Sequence, residues 1–380
     1  MIPGFTSTAS KRPDLLFGTG TPPLRMVRAE GCRVWDDRGR EYVDCIMALG
    51  AVALGYGHPD VVDAAARALR DGTVGPLAPT LEQEVAERLV SWWPWTESVR
   101  FLKTGAEAVS AAIRVARVVT GRDAIVCCGY QGWLDGLSDA PGVPTAVRAL
   151  RRVVPFGAVA ALEQAVHAVQ PAALVVEPVV DAAPATEWIE AVNRVAREVG
   201  AILVLDEIKT GIRFGVGGAA QRYGYVPDLV VIAKAIGNGL PLSAVLGPRP
   251  LMDEFTNTWV SSTLATEFVS LAAANTVLDV AERVDLGHHV STVGRTFYDG
   301  LITIADRAAA DVTVKGIPEF CYLAAAEEDV GARLARACAE RGVLFKRNAY
   351  NFVSLAHDEA VVEQVLGCVA DALDEVTRDR

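Results

Sequence analysis

Nothing in this chain is long and apolar enough to read as a membrane span, because its apolar runs are strand-length and broken by proline or glycine. The opening MIPGFTSTASKRPD has no apolar core, so no secretory leader is expected. Positive charge is also short. Lys and Arg total 36 against 47 Asp and Glu, a net charge of −11. A nucleic-acid binder would more often be basic or carry a basic stripe, and neither is present. Histidine is scarce, five residues, with no HExxH or other ligand spacing, so no metal site is expected. Seven cysteines lie scattered at 32, 45, 127, 128, 321, 338 and 368 without a CxxC pair. An odd, scattered set reads as free, mostly buried thiols in a reducing cytosol. The expectation is a cytoplasmic protein with no nucleic-acid or membrane partner. Internal repeats and low-complexity segments are missing too.

What is present is apolar mass. Of 380 residues, 51% are hydrophobic, enough for a main domain and a smaller one. The chain is organised around Ala201 to Gly239. It opens with Ala201-Ile202-Leu203-Val204-Leu205, a run of buried-strand length, which ends in Asp206 and Glu207. A second run, Leu229-Val230-Val231-Ile232-Ala233, ends in Lys234. A buried strand has no local reason to end on charge, since an unpaired buried charge costs several kcal/mol. In open α/β sheets the C-terminal strand ends are where ligands bind. A lysine among apolar neighbours has a depressed pKa and serves as an amine nucleophile towards an aldehyde. Pyridoxal phosphate needs that lysine, and an acid facing its ring nitrogen. Asp206 and Lys234 fit both roles. On these two residues alone, a structural ion pair is the commoner reading.

A longer pattern changes the odds. DEIKTGIRFG followed by PDLVVIAKAIGNGLPLSAVLG resembles the signature of the class III pyridoxal-phosphate aminotransferases, closest to the branch containing glutamate-1-semialdehyde aminomutase. The resemblance runs from about residue 24 to the C-terminus and is strongest at 99–135 and 201–266. It implies a fold-type-I α/β protein: a large domain with a mainly parallel sheet flanked by helices, plus a small α+β domain. The expected division is 1–50 as arm and hairpin of the small domain, 51–285 as the large domain, and 286–380 as the rest of the small domain.

Along the chain, residues 1–30 read as a Pro/Gly-rich arm, in which Arg25 or Arg28 is either a substrate-carboxylate contact or a solvated surface arginine. Cys32 to Asp44 reads as a hairpin turning at Asp37–Gly39. His58 sits in a Gly/Pro turn and reads as structural. Trp92, Trp93 and Trp95 read as helix-end packing or an aromatic wall. Lys103-Thr104-Gly105-Ala106-Glu107 is a small-residue turn opening a long helix, where backbone N–H groups and the dipole favour an anion. By the resemblance, Thr104, Gly105 and Ala106 hold the cofactor phosphate, with Ala106 replacing the commoner Ser or Thr. By the same resemblance Tyr130 would stack on the cofactor ring, and Gln131 stands where the family usually has His. Glu177, at the end of the strand Ala172–Val176, joins Glu207 and Gln131 as supporting groups. By the resemblance Thr263 would reach the phosphate of a neighbouring subunit's cofactor; by sequence alone it equally reads as a helix start. His357 and Asp358 cap the last helix. The chain from Asp135 to about Arg152 reads as a short loop, and 268–301 as a long helical passage.

These readings converge on an amino-group-moving enzyme with Lys234 and Asp206 as catalytic residues and pyridoxal 5′-phosphate as cofactor. Its partners are a small-molecule amino donor, a carbonyl acceptor and a second copy of the chain sharing the site. The favoured activity is a ping-pong aminotransferase, with a hydroxylated ring or sugar-like compound as a suggested substrate. The alternative is a 2,1-aminomutase of the glutamate-1-semialdehyde type. Other pyridoxal-phosphate chemistry and a non-catalytic relative rank lower. Loops at 135–152 and 180–186, shorter than the family's, argue for an open site. Lys209 has two readings: beside the cofactor's phenolic oxygen, or pointing to solvent.

Overall fold

The computed structural model describes residues 1–18, 25–308 and 311–378. The Pro-rich stretch 19–24 of the expected arm lies outside them. The chain forms two compact units, Met1–His58 with His288–Arg380, and Pro59–Gly287.

In the first unit, the expected hairpin forms as β2 (Arg33–Asp36) and β3 (Glu41–Asp44), and β1 (Met26–Glu30) joins it antiparallel. Asp36 and Gly39 (φ 79°) close the turn, with Asp36 accepting N–H bonds from Arg38 and Arg40 at 2.9 Å. The buried Asp44 carboxylate accepts from the N–H of Ile46 at 2.7 Å and from the Tyr56 hydroxyl at 2.8 Å.

The second unit is built on one seven-stranded sheet. Its strands are β4 (Ser98–Leu102), β5 (Ile125–Cys128), β6 (Arg151–Val153), β7 (Ala173–Val176), β8 (Ile202–Asp206), β9 (Leu229–Ile232) and β10 (Ser243–Gly247). The order is β4-β10-β9-β8-β7-β5-β6. The strands from β9 to β6 pair parallel, and β10 pairs antiparallel with both neighbours. β5, β7, β9 and β10 are buried at every position, as strands covered on both faces must be. Alternate residues divide between two cores. Cys127, Val175, Val204 and Val231 pack with the helix Gly105–Thr120. Cys128, Val176, Leu203 and Leu205 pack with the helices Val159–Val169 and Thr186–Val199. The fold is the fold-type-I α/β architecture.

Two sequence expectations need correction here. The 135–152 segment is not all loop: it holds a short helix, Thr145–Arg148, and its end opens edge strand β6. Arg151-Arg152-Val153 has no apolar alternation to announce a strand, and ladder bonds to β5 alone define it. The 268–301 passage is two helices, Phe268–Arg283 and Leu286–Arg307, interrupted at Val284 and at Asp285, whose φ of 44° no right-handed helix tolerates. In the first unit, β11 (Val312–Ile317), β12 (Phe320–Ala325) and β14 (Asn351–Phe352) form an antiparallel sheet, while β13 (Val343–Leu344) runs parallel to β3. Asp358 accepts the N–H of Val361 at 2.8 Å and so caps the helix Glu359–Arg378, whereas His357 is held instead by Ser354.

Candidate active site

Register brings the expected residues into one row. Cys128 stands opposite Val176, and Val176 opposite Leu205. The next residues on those strands, Gly129, Glu177 and Asp206, therefore follow one another along the C-terminal edge of the sheet. Asp206 lies opposite Val231 of β9, and Lys234 comes three residues later. Lys234 has φ 51°, a left-handed conformation unusual for a residue with a side chain. Such strain costs on the order of 1–3 kcal/mol and persists where the surroundings impose it.

Asp206 is buried. One oxygen, Oδ1, accepts the N–H of Ile208 at 3.1 Å, and the other, Oδ2, is enclosed without a hydrogen-bond partner. Burial first, then the charge of Glu177, pushes its pKa up to about 8. The half-buried Lys234 is shifted down to about 8, by burial first and then by Lys209. An acid and an amine with opposed shifts at one sheet edge are the pair that acid–base chemistry would use.

The expected anion cup corresponds to the start of the helix Gly105–Thr120. Thr104 caps it: its hydroxyl accepts the Glu107 N–H at 3.3 Å while Glu107 accepts the Thr104 N–H at 2.8 Å. The first N–H groups beyond the cap, those of Gly105 and Ala106, have no acceptor within the helix. A Cβ on Gly105 would fall 2.5 Å from Cδ1 of Ile208, so the cup backs directly onto the loop after Asp206. Sequence reasoning passed over Ile208, whose only signal is an apolar residue two places after a strand-end acid. On the other side, a Cβ on Gly132 would fall 2.6 Å from that of Ala106, so the turn after β5 also packs on the cup. A larger residue at 106 would meet that turn, which accounts for alanine there.

Tyr130 stands on that turn with its side chain exposed, and its N–H donates to Glu177 Oε2 at 2.8 Å. Gln131 is buried. Its Nε2 donates to the Cys128 carbonyl at 2.7 Å, and its Oε1 is enclosed without a partner. Glu177 also binds Lys209 Nζ at 3.1 Å, both side chains buried. Lys209 therefore does not point to solvent. Glu207 serves its own loop: it accepts from the Thr210 hydroxyl at 2.6 Å and from the N–H groups of Ala219 and Ala220 at 2.8 Å. Thr263 is exposed and lies before the Phe268 helix, whose cap is Glu267 rather than Thr263. Glu267 also pairs with Lys103 at 2.7 Å, beside the cup. Arg25 lies over the Phe5 ring and Arg28 over the Trp35 ring. Trp92 and Trp93 are buried in packing. Among the described residues no group of three or more His, Cys, Asp or Glu could hold a metal, and no helix is long and apolar enough to cross a membrane.

The model of the aminotransferase class-III family matches residues 18–136 and 145–373. The chain belongs to the class III aminotransferases. It is 33% identical to the glutamate-1-semialdehyde 2,1-aminomutase of Thermomicrobium roseum, over 94% of this chain and 93% of that protein. Among solved structures, the FumI protein of Sphingopyxis sp. MTA144, in its PLP internal aldimine form, superposes with a TM-score of 0.92 at 25% identity, covering 97% of this chain and 92% of that one. An (S)-enantioselective omega-transaminase from Thermomicrobium roseum superposes with a TM-score of 0.84 at 25% identity, with 93% of each chain covered.

This class III aminotransferase uses pyridoxal phosphate, and its own residues fit that cofactor. The enclosed Oδ2 of Asp206 is an acceptor suited to a ring N–H. The helix start at Gly105 and Ala106 suits a phosphate, and the amine of Lys234 suits an aldehyde.

Proposed function

We propose that this enzyme moves an amino group at Lys234, and that it does so as a 2,1-aminomutase of the glutamate-1-semialdehyde type. The observation that carries the shared chemistry is the enclosed, unpartnered oxygen of Asp206 beside an amine of lowered pKa. The mutase reading is supported ahead of two-substrate transfer by the name of the 33%-identical relative.

Bound pyridoxal phosphate supplies an aldehyde and an electron-withdrawing ring. Asp206 would accept the ring N–H, and the raised proton affinity of its carboxylate suits it to share that proton. Lys234 would hold the aldehyde, then, once freed, take a proton from the substrate carbon and return one nearby. A pKa near 8 leaves a useful fraction unprotonated at neutral pH. Thr104, Gly105 and Ala106 would bind the phosphate, and Tyr130 would cover the ring face. Thr263 would serve the site of a second copy of the chain, in a homodimer.

Two-substrate transfer is the second reading, favoured by the likeness to an omega-transaminase and by the exposed Tyr130 and Trp133, which fit an open mouth. Its acceptor would be a carbonyl compound, with a hydroxylated ring or sugar as one class. Purified enzyme given glutamate-1-semialdehyde alone should form 5-aminolevulinate with no added donor or acceptor, and Lys234→Ala should form none. No product from it, together with bleaching of the visible band by another amine and recovery by a carbonyl acceptor, would replace the mutase by the transferase. No visible band at all with added cofactor would remove both.

A further inference from the structure

Lys209 is a buried cation in this site to which the proposed chemistry gives no task. It follows Asp206 by three residues, is 6% exposed, and its Nζ lies 3.1 Å from Glu177 Oε1. The other oxygen of Glu177 accepts the Tyr130 N–H at 2.8 Å. Gly129, with φ 94°, sits so close that a Cβ there would lie within 3 Å of Glu177 Oε2. Ammonium, carboxylate and the peptide of Tyr130 thus form one linked chain from the loop after β8 to the turn after β5. A long side chain loses rotamer freedom on burial, and a buried carboxylate without its cation is strongly unfavourable.

We propose that Lys209 is a positioning residue: by holding and neutralising Glu177 it fixes the Tyr130 turn over the cofactor and leaves Asp206 as the acid available to the ring. The inference rests on the cofactor reading above but not on the choice between mutase and transferase. Lys209 works through Glu177, not by touching the cofactor. The two carboxylates follow one another on adjacent strands. With Lys209 removed, Glu177 would repel the Asp206 anion at close range and would lose the partner that orients its Oε2. The groups acting on Lys234 are Lys209 and Arg213 from the segment after β8, Glu177 from the end of β7 and Asp206 from the end of β8. Removal of Lys209 therefore leaves the Lys234 nitrogen in a more negative surrounding.

The test uses full-length wild type, Lys209→Met, Glu177→Gln and the double variant, each titrated with pyridoxal phosphate, with the visible band then followed against pH. Lys209→Met should bind the cofactor about tenfold or more weakly, as expected for a buried pair broken on one side. The pH midpoint of its band should rise by about one unit, a tenfold change in proton affinity. The double variant, neutral at both positions, should return both readouts to within about threefold of wild type, because the coupling is pairwise. A merely structural pair would lower the melting temperature without moving the pH midpoint, and that result overturns the proposal. Equal losses in the single Lys209 variant and the double variant also overturn it, since they would mean direct contact with the cofactor. If Lys209→Met does not fold, Glu177→Gln decides: weaker binding with a lowered midpoint supports the proposal, and unchanged values sink it. Absence of a visible band in wild type would instead refute the cofactor reading itself, and the inference with it.

Discussion

Gly132→Ala is a sharp test of how the proposed cofactor cup is built. Gly132 has φ 127°, and a Cβ there would meet Cβ of Ala106 at 2.6 Å and its Cα at 3.2 Å. The Ala106 side chain sits on the first turn of a helix held by the Thr104–Glu107 capping box, so it has little room to yield. Forcing a methyl into a packed contact costs about 1–3 kcal/mol. The unfavourable backbone conformation adds roughly 1 kcal/mol or more. The cheaper relief is for the Tyr130–Trp133 turn to lift from the helix start. If about 2 kcal/mol of that strain falls on the bound state, pyridoxal phosphate binds roughly thirtyfold more weakly. Absorbance titration with the cofactor measures this, with thermal melting run in parallel. Gly136→Ala is the control, because a Cβ at Gly136 would meet nothing within 4 Å. Ala106→Gly combined with Gly132→Ala removes the shortest contact and should recover part of the loss. Wild-type affinity and stability in Gly132→Ala would refute the close packing of turn on cup.

Asp206→Asn should stabilise the cofactor-free protein as pH rises. The folded pKa of this acid is raised from its ordinary 3.8 to about 8, so folding disfavours the ionised form. That penalty is absent below the unfolded value, grows between the two and is full above the folded one. Removing it, offset by a buried amide, should gain about 1–3 kcal/mol at pH 8.5, read by urea unfolding. A variant no more stable than wild type at both pH 5 and pH 8.5 would contradict the burial argument. Glu207→Ala should cost about 3 kcal/mol or more, because the Thr210 hydroxyl and the N–H groups of Ala219 and Ala220 lose their acceptor. Its melting temperature is the check, and an unchanged value would show that the loop has other acceptors. Thr104→Ala should cost about 1 kcal/mol through the lost helix cap. Chemical denaturation would reveal it, and no loss would mean that Glu107 alone holds the helix start.

Much of the candidate site could be read from the chain because its residues mark breaks in local patterns. Leu203-Val204-Leu205 then Asp206, and Val230-Val231-Ile232 then Lys234, are apolar runs interrupted by charge. Thr104 and Glu107 stand three apart before an apolar helix, the spacing of a capping box, which local backbone geometry enforces. Edge strand β6 was not legible, since Arg-Arg-Val carries no period and pairing alone makes it a strand. Nor was the end of the Phe268 helix, where apolar periodicity continues past a backbone reversal at Asp285.

By itself the sequence determined most of the elements, the charged strand ends, the small-residue helix start and the resemblance that names the cofactor. Those are local facts, set within a few residues by hydrophobic period, capping and chain stiffness. The tertiary structure decided which strand ends are neighbours. Glu177 comes 29 places before Asp206, and sheet pairing of β7 with β8 makes them adjacent. It also decided that Lys209 turns inward to Glu177, that Glu207 serves its own loop, and that Gly132 rests on Ala106. Strand order and register are chosen by which faces bury together and by ladders between distant segments, and no short window of sequence contains both partners.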